Sequence, residues 1–143
     1  MTAAGAVTDR EPSVFDIVDE SDLIRVRKVL RTEAEAVGLN LVDATKLITA
    51  GSELARNILN YATGRRGRVT VEQVHRQSRR GVRASFADDG PGIEDIEAAL
   101  TDGFSTRGSM GLGLPGARRL VDDMTLTSAA GAGTTVVIVK WQR

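Results

Sequence analysis

The chain has 143 residues, 19 basic and 19 acidic side chains, and therefore no formal net charge. This length predicts one domain, and a composition that is 41% hydrophobic and 27% charged is typical of a soluble globular protein. A neutral chain has no overall basic field with which to bind nucleic acid non-specifically. The lack of cysteine excludes disulfides and thiolate metal sites, and a single histidine, His75, excludes a multi-histidine metal site within one chain.

No segment of the sequence has the pattern of a targeting signal or a membrane span. The N-terminal residues lack a basic start followed by an apolar run, and no stretch approaches the roughly 20 apolar residues of a spanning helix. We therefore expect a cytoplasmic protein that binds neither nucleic acid nor membrane. Residues 1–12 are small and polar and are predicted to form a flexible tail, which leaves 13–143 as a single domain.

The first half of the chain predicts a strand followed by two helices. Alternating apolar residues predict a strand over 13–19. Candidate caps at 20–22 begin a first helix, which Gly38 closes. Asn40 is a suitable cap for a second helix that runs to about Ala62.

The second half of the chain predicts two pairs of strands. Residues 68–75 and 82–86 form a hairpin around a turn at 79–81, and strands at 124–128 and 134–141 form the second pair. Between the pairs lie a short helix at 93–100, a mobile glycine-rich loop at 101–113 and a helix at 114–122. Because strands come in pairs and do not alternate with helices, the order predicts an α+β fold. We expect a two-layer sandwich with the helices on one face of a mixed sheet.

The second helix carries an acid and an amide on its polar face. Glu53 and Asn57 are four residues apart, so their side chains share one surface of the helix. Such a pair suits a magnesium ligand and a group that polarises a hydroxyl. On its own, this helix is better explained as an ordinary solvated surface.

Three glycine-containing segments complete the candidate site. Asp88 is followed by a turn in which Gly90 and Gly92 allow close approach to a flat ligand. Residues 103–116 place glycines and hydroxyls before a helix, which is the arrangement of an anion site. Residues 131–135 precede the last strand. Each segment alone is typical of an ordinary turn or loop.

In this order, the four segments resemble the N, G1, G2 and G3 boxes of the ATP-binding (Bergerat) fold shared by gyrase, histidine kinases and MutL, the GHKL superfamily. The resemblance extends over about residues 15–141. The amino-acid sequence of residues 52–58, 102–106 and 111–117 is similar to that of the anti-sigma-factor-type serine/threonine protein kinases, in particular the RsbT-type switch kinases of the stressosome.

The resemblance implies roles for individual residues. Glu53 takes the place of the acid that activates the attacking hydroxyl, and Asn57 that of the magnesium ligand. Asp88 takes the place of the acceptor for the adenine amino group, and Thr134 that of the threonine that supports it. The further implied ATP contacts are Gly90, Gly92, Ser105, Thr106, Arg107, Gly111 and Gly113.

The resemblance also implies the activity, which is magnesium- and ATP-dependent phosphorylation of a small STAS-domain antagonist protein. The family's further partners are PP2C-type phosphatases and sigma factors. A histidine autokinase is disfavoured, because no helical hairpin bears a phosphoacceptor histidine and Asn60 stands where histidine kinases often carry lysine. The alternative is a binding module that sequesters a regulator, with nucleotide only tuning its affinity.

Overall fold

The computed structural model describes residues 6–7, 11–61, 66–89, 114–128 and 133–143. The predicted helix at 93–100 and the loop at 101–113 lie outside these ranges. The described elements are β1 (Ala6–Val7), β2 (Ser13–Ile17), α1 (Ser21–Ala36), α2 (Leu41–Tyr61), β3 (Gly67–Arg76), β4 (Arg79–Asp88), α3 (Leu114–Leu120), β5 (Asp123–Ser128) and β6 (Thr134–Trp141).

The strands form one sheet in the order β1-β3-β4-β6-β5, and β2 also pairs with β3. The α+β class is confirmed, but every pairing among the described strands is antiparallel, where a mixed sheet was predicted. The reason is that two hairpins, β3–β4 and β5–β6, meet with β6 running opposite to β4. Within the segment predicted to be a tail, Ala6 and Val7 pair with β3. The division into a tail and one domain stays a prediction.

α1 and α2 pack on the same face of the sheet, and α3 packs against α2. Because strand side chains alternate, every second residue of the central strands faces the helices. None of the described helices is both long and apolar enough to cross a membrane. The strand residues buried in the main core are Phe15, Ile17, Val69, Val71, Val82, Ala84, Phe86, Val136 and Ile138.

The connection between α1 and α2 confirms two predicted caps. Gly38 has φ +80°, and the Leu39 N–H donates to the Ala34 carbonyl at 3.0 Å, which closes α1 in a Schellman motif. The Asn40 side chain accepts from the Asp43 N–H at 2.8 Å and caps α2. The second helix therefore turns back along the first.

The start of α1 differs from the prediction. The N-cap residue, Glu20, makes no side-chain capping bond. The Asp22 carboxylate instead accepts from the Val18 and Asp19 N–H groups, at 2.9 and 3.1 Å. Hydrogen bonds from the hydroxyl and the N–H of Ser21 lower the pKa of Asp19.

The hairpin turn between β3 and β4 lies at residues 77–78, and the predicted turn at 79–81 is wrong. Gln77 takes the left-handed conformation with φ 54°. Gly81 belongs to β4, where a Cβ would lie 2.7 Å from Cε3 of Trp141. This glycine therefore allows an aromatic ring to approach the strand and does not form the turn.

Buried contacts fix α2 at its start and at its middle. Lys140 of β6 is 3% exposed, and its Nζ lies 3.6 Å from Asp43 and 3.7 Å from Asp122. Further along the helix, a Cβ on Gly51 would lie 2.3 Å from Cδ1 of Leu30 and 3.3 Å from Cζ of Phe86. The missing side chain at Gly51 therefore sets how closely α2 packs on α1 and the sheet.

Gly51→Ala is expected to destabilise the protein by about 1 kcal/mol. Overpacking at Leu30 costs ~1–3 kcal/mol, and the better helix propensity of alanine offsets about 1 kcal/mol of it. Gly116→Ala is the matched control, since nothing lies within 4 Å of its added Cβ. We expect this control to gain about 0.5–1 kcal/mol. Urea unfolding of both variants measures the difference, and equal shifts would contradict the packing argument.

Candidate functional site

Glu53 and Asn57 lie one turn apart on α2, on the side of the helix away from its buried face. Glu53 is exposed and Asn57 is half-buried. The opposite side is fixed in the core by buried Leu54, Ala55 and Ile58. The amphipathic pattern of the helix therefore presents the acid and the amide together at the surface, as predicted.

Two polar contacts, one from α1 and one from its N-cap residue, reach α2 at residues that flank Glu53 in the sequence. The Ser52 hydroxyl donates to the Ile48 carbonyl at 2.8 Å and accepts from Nε of Arg27 at 3.2 Å. Nη1 of Arg56 lies 3.6 Å from the Glu20 carboxylate. Exposed ion pairs contribute only about 0.2–1 kcal/mol, so the main effect of these contacts is to orient this part of α2 relative to α1.

Asp88 ends β4, directly opposite Thr134, which begins β6. The Asp88 side chain is half-buried. Gly133, the residue before Thr134, has φ +81°, and an added Cβ there would lie 2.3 Å from the Asp88 carbonyl oxygen. Glycine at this position therefore allows β6 to begin against the backbone of Asp88. The structure brings together Asp88 and Thr134, which are 46 positions apart in the sequence numbering.

Sequence reasoning missed Ser128, the last residue of β5. Its hydroxyl donates to the Gly133 carbonyl at 2.8 Å and lies 2.9 Å from Oγ1 of Thr134. A hydroxyl has one hydrogen. When the hydroxyl hydrogen of Ser128 is used in the bond to the Gly133 carbonyl, the Thr134 hydroxyl must donate its own hydrogen to Ser128. The Thr134 oxygen can then only accept a hydrogen bond from a group in the site. The signal was the cross-strand pairing of Ser128 with Thr134, which needs the hairpin register.

An open cleft of about 410 Å³ adjoins Asp88 at the ends of β2, β3 and β4. Arg68 and Asp16 form an ion pair within it, with Nε 3.4 Å from Oδ1. Both side chains lie on the sheet face away from α2, since they alternate with the core residues of their strands. A ligand that touches both Asn57 and Asp88 therefore lies on the opposite face of the sheet, the face that α2 covers. The lining residues are Asp16, Arg66, Gly67, Arg68, Ala87, Asp88 and Asp89.

The remaining predicted contacts lie outside the described residues. They are Gly90, Gly92, Ser105, Thr106, Arg107, Gly111 and Gly113. In α3, which follows these segments, Leu114 and Ala117 are buried and the helix packs on α2. His75, predicted to be a structural or surface residue, is exposed in β3.

Comparison with known proteins places this geometry in a family. Residues 42–143 match the family described as histidine kinase-, DNA gyrase B-, and HSP90-like ATPase. The chain is 42% identical over 133 residues to the serine/threonine-protein kinase RsbT of Bacillus subtilis (strain 168), covering 93% of this chain and 98% of the relative.

Two solved structures share the fold. The mycobacterial sensor histidine kinase MprB has a TM-score of 0.53 and 21% identity, covering 92% of this chain and 97% of that one. The catalytic domain of the histidine kinase ThkA has a TM-score of 0.53 and 19% identity, covering 92% and 95%. These two likenesses show the fold alone. The family match and the whole-length identity to RsbT show that the chain is an ATP-binding domain of the histidine kinase-, DNA gyrase B- and HSP90-like ATPase family and, within it, belongs to the RsbT group.

Proposed function

We propose that this protein is an ATP-dependent serine/threonine protein kinase that phosphorylates a small STAS-domain antagonist protein in a partner-switching pathway. The observation that carries the proposal is the presentation of Glu53 and Asn57 together at the surface of α2, in a chain 42% identical to a serine/threonine-protein kinase over 93% of its length. A scaffold that only binds a regulator has no need of this pair.

In this proposal, ATP is recognised at the end of β4. Asp88 accepts a hydrogen bond from the adenine amino group, and Thr134 supports it through a bridging water. The acceptor capacity left to Thr134 by its bond with Ser128 suits such a water. The glycines at 90, 92, 111 and 113 and the lid residues 105–107 stay predicted contacts.

Asn57 is proposed to hold magnesium through its amide oxygen. A single amide oxygen suits an ion that takes its other ligands from phosphates and water. When bound, magnesium neutralises charge that develops on the phosphates.

Glu53 is proposed to orient the incoming hydroxyl and accept its proton. The substrate oxygen forms a bond to the γ-phosphorus, the bond from that phosphorus to the bridging oxygen of ADP breaks, and the hydroxyl proton passes to the Glu53 carboxylate. Since Glu53 is exposed, it releases this proton to water after transfer. Catalysis of this kind consists mainly of positioning and charge stabilisation.

Labelled phosphate transfer tests the proposal. Incubation with magnesium, γ-labelled ATP and the STAS-domain proteins of the same organism is expected to label one of them on serine or threonine. The label should survive acid, unlike phosphohistidine, and Asp88→Asn should weaken ATP binding by about 1–3 kcal/mol, because a charge-assisted hydrogen bond is lost. A stable complex with a sigma factor or other regulator and no transfer to any STAS protein would favour the sequestering module.

A further inference from the structure

The side of α1 that faces away from the core carries a continuous row of side chains. A shallow groove of about 320 Å³ runs along it, lined by residues of α1 alone. Their spacing of three or four residues places them in one row along the helix. We define the α1 groove by these residues, which are Ile24, Arg27, Lys28, Arg31, Thr32 and Glu35.

The α1 groove concentrates positive charge in a chain whose net charge is zero. It has three cations against one carboxylate. Within the described part of the chain, neither Lys28 nor Arg31 has a salt-bridge partner. Like charges three or four residues apart destabilise a helix, and an anionic partner lying between them reverses that effect.

The groove also offers an apolar contact at one end. The side chain of Ile24 is 66% exposed. An exposed isoleucine beside cations is the combination found at protein interfaces, where an apolar contact is surrounded by polar groups.

Arg27 of the α1 groove contacts the neighbour in sequence of the residue proposed to act on the substrate. Nε of Arg27 lies 3.2 Å from the Ser52 hydroxyl, and Ser52 precedes Glu53 in the sequence. The ion pair between Glu20, the N-cap residue of α1, and Arg56 lies one turn further along α2. A protein that lies along α1 can therefore bring a side chain to Glu53 without crossing the sheet.

We propose that the α1 groove docks the protein substrate through acidic side chains that flank its acceptor hydroxyl, with an apolar side chain of the substrate over Ile24. This inference rests on the proposed kinase function and adds the chemistry of substrate recognition. Charge complementarity of this kind speeds association and selects among partners. It acts on substrate binding and leaves ATP binding and the transfer step alone.

Charge reversal on α1 tests the proposal. The double variant Lys28→Glu/Arg31→Glu is compared with Lys46→Glu/Arg79→Glu, which changes the net charge equally at exposed positions outside the groove. The substrate is the STAS-domain protein that the wild type phosphorylates. We expect the groove variant to raise the KM for that protein roughly tenfold at low salt, with the wild-type kcat and KM for ATP. Added salt should reduce the difference in this KM between the groove variant and the wild type. The control variant should keep the wild-type KM.

The outcomes separate the docking proposal from the kinase proposal. If the wild type phosphorylates the STAS protein and the groove variant keeps the wild-type KM, docking on α1 is wrong and the kinase stands. An equal rise in KM for both double variants would show that the change in net charge alone causes the effect, and would also overturn the docking proposal. A wild type that dimerises through this face, with the dimer lost in the groove variant, assigns the groove to a second copy instead. No transfer by the wild type to any STAS protein overturns both proposals.

Ile24→Ala provides the second measurement, since an exposed residue can be shortened without disturbing the core. It is expected to raise the same KM to an extent that does not depend on salt, because an apolar contact is not screened. An unchanged KM would remove Ile24 from the docking surface.

Discussion

Glu53→Gln is expected to slow phosphoryl transfer by about 10²–10⁴-fold, the usual contribution of a general base, while ATP and the protein partner bind nearly as in the wild type. Glutamine keeps the shape and hydrogen-bonding ability of the side chain but cannot accept the proton. The loss therefore falls on the transition state and not on ground-state binding. Single-turnover transfer measured beside a binding titration separates the two.

Two variants sharpen the Glu53 experiment. Asn57→Ala should lose both magnesium-dependent ATP affinity and transfer, since its proposed contact is with the metal. Glu53→Asp retains a carboxylate and should recover part of the rate. Wild-type transfer by Glu53→Gln would show that the base role is wrong. A loss of only a few-fold would leave the kinase standing and assign Glu53 to orienting the hydroxyl, since a loose transition state gains little from a base.

Gly133→Ala is expected to cost roughly 2–5 kcal/mol of folding stability and to weaken ATP binding with it. The left-handed conformation costs a residue with a Cβ about 1–2 kcal/mol, and overpacking adds about 1–3 kcal/mol. The added carbon would lie 2.3 Å from the Asp88 carbonyl oxygen, so the ends of β4 and β6 must move apart. Urea unfolding and ATP calorimetry measure the two effects.

Gly133→Asn distinguishes the two causes at this position. Asparagine tolerates positive φ better than alanine does, but its Cβ meets the same carbonyl. If contact with Asp88 dominates, the asparagine and alanine variants lose similar stability; if φ dominates, asparagine is the milder change. A wild-type unfolding midpoint and ATP affinity in Gly133→Ala would contradict both explanations.

The local parts of the fold could be predicted from the sequence because their causes are local. Gly38 and Asn40 act within one helical turn of their own positions, and the apolar period of α2 determines which side bears Glu53 and Asn57. Strand pairing is not local, and for this reason the prediction of a mixed sheet was wrong. The turn at 77–78 was missed for the same reason, since the need for glycine at position 81 comes from Trp141, 60 positions later.

The candidate site divides in the same way. The spacing of Glu53 and Asn57 follows from helix geometry alone, whereas the pairing of Asp88 with Thr134 depends on the register of β4 and β6. The resemblance to a family linked those two residues before any register was known. It did not point to Ser128, whose contact with Thr134 appears only once β5 and β6 are aligned.

The close approach of Trp141 to Gly81 gives the protein a built-in optical reporter. Trp141 is the single tryptophan of the chain; it is 3% exposed and lies with Val74 and Val139 in a small cluster apart from the main core. The Arg76 guanidinium lies 4.9 Å from the ring centroid. Tryptophan emission therefore follows the integrity of the central strands from the face opposite the helices, and unfolding can be monitored optically without attaching a dye near the nucleotide.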